Sequence, residues 1–117
     1  MTALQSLAAE DPRLSAVVKR VVQEWVPDEP PLTVAFGEIG RAIARYWNEL
    51  GDNVRRRLFA RIEEAATSND EALATAVTTG LLESLVGTSD HEPGLWPQIS
   101  ELLGPVSRHH ANSWREF

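Results

Sequence analysis

Apolar residues recur at helical spacing through most of this chain, and the best-marked run lies between Ser68 and Gly87. Leu73, Val77, Leu81 and Leu85 return every four residues, and Ala74, Ala76 and Leu82 widen the stripe. Such a stripe is a face for burial against other helices. Ser68 with Glu71 three residues on fits a capping box, in which each side chain satisfies a backbone N–H at the helix start. Asp70 and Glu71 set negative charge at the positive end of the helix dipole. Gly87 fits the left-handed residue that closes a helix.

The remaining segments read as helices too. Thr2 to Ala9 predicts a short helical turn that buries Leu4 and Leu7. Asp11-Pro12 is a strong start signal, because Asp caps well and Pro at the first helical position gives up no needed N–H. Leu14, Val17, Val18, Val21, Val22 and Trp25 then follow a helical period, with Trp25 expected in the core. Three prolines between Pro27 and Pro31 break the chain stiffly. A helix from Thr33, as its cap, to Leu50 carries Phe36, Ile39, Ile43 and Trp47 inward, and Gly37 and Gly40 on that line permit a close helix crossing. Gly51-Asp52 separates it from a helix over Asn53 to Thr67, where Arg57 and Arg61 are spaced to pair with Glu64. That helix and the next, joined by a very short break, form an αα-hairpin resembling one HEAT-type repeat. A polar loop from Thr88 to Gly94, a short helix over Leu95 to Leu103 and a last helix after Gly104-Pro105, docked by Val106, Trp114 and Phe117, complete the chain. The expectation is one all-α domain over residues 1–117, a bundle of five or six helices centred on the hairpin Asn53–Gly87.

Charge changes the picture, because the net −6 is uneven. Residues 1–58 carry eight acids and eight bases, whereas residues 59–117 carry nine acids and three bases. No Lys or Arg stands between Ile62 and Ser107. Phosphate binding needs clustered cations, so nucleic acid is not the expected partner. A basic partner would be attracted and oriented by such a surface. The plainer alternative is that the acids solvate outer helix faces. There is no cysteine, hence no disulfide framework or thiolate chemistry. No run approaches a membrane span, and the N-terminal stretch lacks the basic start and apolar run of a signal peptide; a cytoplasmic protein is expected.

Catalytic chemistry finds little support. His109 and His110 are adjacent and diverge on a helix, and His91 is the only other histidine, so no metal site is expected. Glu63-Glu64 and Asp70-Glu71 suit helix-end electrostatics better than acid–base work. Ser107 and His110 have contact spacing but no orienting third residue. No enzyme activity and no cofactor are expected. Of the four tryptophans, Trp96 stands beside the polar loop in the acidic half and is the candidate interface anchor.

Two stretches carry a resemblance. One is Phe59-Ala-Arg-Ile-Glu63 through Asp70-Glu71, Ala76-Val77 and Gly80-Leu-Leu-Glu-Ser-Leu85; the other is Leu103-Gly-Pro-Val-Ser-Arg108 with Trp114 and Phe117 following. Together they resemble a family of small all-helical bacterial proteins, mostly of unassigned function, that often look like immunity proteins of toxin systems. The resemblance covers about half the chain and brings no catalytic residues. It implies a protein that works by binding and neutralising a cognate protein toxin. The acidic half would suit a toxin with a basic cleft, as nucleases have. On that reading the partner-binding residues are Glu63, Glu64, Glu83, Asp90, Glu92, Trp96 and Glu101. The alternative is a non-enzymatic helical adaptor with a helix-in-groove partner.

Overall fold

A computed structural model describes residues 2–115. The described chain is all-α, as expected, with seven helices rather than five or six. They are α1 (Ala3–Ala8), α2 (Pro12–Trp25), α3 (Leu32–Arg45), α4 (Asp52–Ala66), α5, α6 (Leu95–Leu102) and α7 (Pro105–Arg115). Helix α5 is a continuous rod built of α-helical Glu71–Thr75, a π-helical segment Ala76–Leu82 and α-helical Glu83–Ser89. None of the helices is long and apolar enough to cross a membrane. Phe117, expected to dock the last helix, lies outside the described residues.

The first two helix starts follow local chemistry, the second as read from the sequence. Thr2 and Gln5 make a reciprocal capping box on α1. Asp11 Oδ1 accepts from the Arg13 N–H at 2.9 Å, with Pro12 at the first position of α2. Leu14 and Val21 are buried, but Trp25 is exposed, contrary to expectation. Periodicity tells which face a residue shares; it does not tell how far a neighbouring helix extends to cover it. Helix α3 begins at Leu32 with Pro31 at the cap position and ends at Arg45, so Thr33 is not its cap and residues 46–49 turn instead of continuing the helix.

Helix α3 meets α5 backbone to backbone. A Cβ built on Gly40 would stand 2.3 Å from the Leu81 carbonyl oxygen, and one on Gly80 would stand 2.6 Å from that of Thr33. Only a residue without a side chain tolerates those approaches. Thr33 meets Gly80 and Gly37 meets Ser84, so the two helices run the same way. This pair is the most extensive helix contact, and Phe36, Ile39, Ile43, Val77, Leu81 and Leu85 are buried on its two sides. The α4–α5 hairpin is present but is not the centre of the packing; α4 closes the core from another side through Leu58, Phe59 and Ile62. Trp47, buried as expected, lies edge-on to Phe59 at 5.8 Å between centroids and donates Nε1–H to Gln98 Oε1 at 3.0 Å.

The ends of α5 differ from the sequence reading. Asp70, not Ser68, is the cap: its Oδ1 accepts from the Leu73 N–H, while Ser68 Oγ accepts from the Asp70 N–H. Asp70 stands two residues closer to the helix, which puts its carboxylate within reach of the free Leu73 N–H. Gly87 lies inside the helix, which continues to Ser89; Gly94 is the one described residue with a left-handed φ. The π-helical segment explains the four-residue stripe. In a plain α-helix that spacing drifts by about 40° per step and would wind off the core face. Turns closed by i→i+5 bonds are wider and absorb the drift. Thr78 Oγ1 and Thr79 Oγ1 donate to the carbonyls of Ala74 and Thr75 in this stretch, and Trp114 Nε1–H donates to the Thr78 carbonyl at 3.2 Å.

A Cβ on Gly87 would meet nothing within 4 Å. Gly87→Ala is therefore expected to stabilise the protein by about 0.5–1 kcal/mol through helix propensity alone, read as a higher denaturation midpoint with unchanged m-value. Glu10 also differs from expectation. Arg57 and Arg61 both donate to its carboxylate, at 2.9 and 2.8 Å, instead of pairing with Glu64. The α1–α2 junction thus supplies the acid that the α4 arginines use.

Candidate binding groove

Because Gly37, Gly40 and Gly80 draw α3 and α5 so close at one level, the side chains flanking the crossing stand up as two walls. Between them runs a groove of about 1050 Å³. Helix α3 contributes Val34, Glu38, Arg41, Ala44 and Arg45 to it; α5 contributes Thr79, Glu83, Ser84, Gly87 and Thr88. His91, Glu92 and Pro93 from the following loop and Gln98 from α6 line it as well. Glu38 is committed to ion pairs with Arg20 and Arg41. Among the described residues Glu83, Glu92 and Arg45 make no ion pair, so the two walls do not neutralise each other.

The seven residues assigned to partner binding from sequence are dispersed. Glu83 and Glu92 are exposed and line the groove together. Asp90 and Trp96 are joined through Arg115, which donates to Asp90 Oδ1 at 2.6 Å and lays its guanidinium 4.6 Å from the Trp96 ring centre. Trp96 is half-buried beneath that cation and serves packing as well as surface. Glu101 is exposed on α6 outside the groove lining. Glu64 borders a separate recess of about 220 Å³ with Ser6, Arg61 and Leu73. The seven residues are therefore not gathered at one recess.

Glu63 is a structural residue. Its carboxylate accepts from the Val106 N–H at 3.0 Å, the Ser107 N–H at 2.9 Å and the buried Ser107 hydroxyl at 2.8 Å. It caps α7 from across the core, with its charge at the positive end of that helix. A Cβ on Gly104 would lie 2.4 Å from Glu63 Cδ, so Gly104 leaves the carboxylate its room. Ser107 is therefore engaged with Glu63, where the sequence suggested His110. Burial alone pushes the Glu63 pKa up, but the Ser107 and Val106 hydrogen bonds outweigh it and hold the group below the usual glutamate range, with a smaller pull from His110. Glu10 is lowered as well, first by its hydrogen bonds from Arg61 and Arg57.

A carboxylate whose folded pKa is depressed contributes stability that is present above its unfolded pKa and is lost as pH falls through the lower folded value. Acidification below about pH 4.5 should thus destabilise the protein through both groups. Glu63→Gln removes one of them. The variant is expected to lose about 1 kcal/mol at pH 7, in the range of a lost helix cap, and to show a flatter loss of stability between about pH 5 and 3 than the parent, as followed by urea unfolding at each pH.

Arg41, Arg45, Glu38 and Gln98 were not singled out from sequence. A usable signal was present: Glu38, Arg41 and Arg45 follow i, i+3, i+7 spacing beside the glycine line of α3. Among the described residues no group of three or more His, Cys, Asp or Glu side chains is placed to hold a metal ion. No curated protein and no solved structure matches the chain significantly. The model of one family does match, over residues 4–117, which is nearly all of the chain. The chain thus belongs to the DUF7674 family, described as a domain of unknown function.

Proposed function

We propose that the protein works by binding another protein through the α3–α5 groove, as an immunity protein that neutralises a cognate bacterial toxin. The observation that carries the binding part is the pair Glu83 and Glu92, exposed in one open groove with no cation partner among the described residues. Exposed acids in a concave site strengthen the local field and attract a basic surface. The toxin as partner comes from the resemblance of the hairpin and of the Leu103–Arg108 turn. A nuclease-like basic cleft fits the sign of that field. The protein itself carries out no chemistry in this reading and needs no cofactor, nucleic acid or membrane. A helical adaptor is the second reading, favoured by Gly87, which is exposed in the groove with nothing within 4 Å of a built Cβ and so leaves room for a partner backbone.

Co-expression with the product of the adjacent gene in the native host tests this. A stable complex and rescue of growth from that product are expected. A stable complex with a partner that does not impair growth would favour the adaptor. The absence of both would sink the toxin reading.

A further inference from the structure

The groove's shape and the division of charge across it define its occupant more narrowly, on the reading that it is the contact face. Along α3 the lining runs from Thr33 to Arg45, thirteen residues, or about 18 Å at helical rise. That length corresponds to about five residues of extended chain or three turns of helix, and the groove is open to solvent. A compact small molecule is normally buried on most of its surface, which this trough does not offer. The walls differ in sign. Glu83 comes from α5 and Glu92 from the loop beyond its end; Arg45 comes from α3, and Arg41 is already committed to Glu38. No ion pair within 4.0 Å bridges the walls among the described residues. A uniformly basic segment would meet Arg45, and a uniformly acidic one would meet Glu83 and Glu92.

We infer that the groove takes a single stretch of partner polypeptide that carries both signs: basic side chains along the edge facing Glu83 and Glu92, and an acidic side chain facing Arg45. Gly87 lies in the groove, exposed and helical, with 4 Å of empty space around a built Cβ. A bulky side chain there obstructs the groove and leaves the core alone.

Random 12-residue peptides displayed on phage are panned on the whole protein, and peptides that also bind Gly87→Trp are discarded, after a thermal melt has shown that this variant is folded. The surviving peptides are expected to combine Lys or Arg with Asp or Glu. A synthetic survivor, followed by fluorescence anisotropy, is expected to lose at least tenfold in affinity for Glu83→Lys/Glu92→Lys and several-fold for Arg45→Glu. A peptide with its acidic residue changed to Lys should regain affinity for Arg45→Glu. Survivors of one sign only, affinity indifferent to Arg45→Glu, or no survivors would each overturn the inference. The growth assay keeps the two proposals apart. If Gly87→Trp still rescues growth, the toxin is bound by another surface and the groove reading fails alone. If the parent protein does not rescue, the toxin reading fails and the peptide result stands by itself.

Discussion

Gly40→Ala is expected to lower stability by about 2–3 kcal/mol, net of helix propensity, and the melting temperature by about 10 °C. The new Cβ would lie 2.3 Å from the Leu81 carbonyl oxygen, a backbone atom that no side-chain rotation can move. Restoring an ordinary contact needs α3 and α5 to separate by about 1 Å, which is roughly the shortfall from van der Waals distance. Ile39, Ile43, Leu81 and Leu85, all fully buried, would then lose part of their mutual packing. Alanine favours the helix by about 1 kcal/mol over glycine, so the sign of the outcome is informative. Gly87→Ala is the internal control: same chemistry, same helical setting, nothing within 4 Å of the new atom. Thermal melts of the two variants should move in opposite directions. Equal shifts would mean that α3 and α5 do not approach as closely as described.

Glu83→Lys/Glu92→Lys is expected to weaken partner binding at least about a hundredfold, or near 3 kcal/mol, because attraction is replaced by like-charge contact with a basic surface. The fold should be little affected. Both residues are exposed, and neither holds an ion pair among the described residues. Titration calorimetry or surface resonance against the captured partner measures this, with the melting temperature as the check on folding. The association rate of the parent should also fall as salt is raised, and that of the variant much less. Asp90 belongs in a separate experiment. Reversing it would release Arg115, which also covers Trp96, so a loss of binding there would mix charge with local packing. Glu63 belongs in neither, since its removal strips the cap from α7. Unchanged affinity in the double variant would remove the groove's acidic wall from the contact.

Local chemistry determined much of this protein from sequence alone. The all-α class, the Asp11 cap, Pro12 and Pro105 at helix starts, and the inward line of α3 are each decided within a turn or two of chain. Such signals are short-range and need no neighbour. The glycines of α3 also announced a close crossing, although not its partner. What only the tertiary structure decided depends on pairs far apart in sequence. Glu63 reads as one more solvent acid until Ser107 is folded onto it. Glu10 becomes the common partner of Arg57 and Arg61 only when the α1–α2 junction lies against α4. Trp25 continues a perfect stripe, yet no helix extends to cover it fully. The acids of the second half share a sign in the sequence but not one recess in the fold. The groove exists because two helices without side chains at their crossing come nearly into backbone contact, and their flanking residues, Glu83 on one side and Arg45 on the other, have nowhere to stand but along its walls.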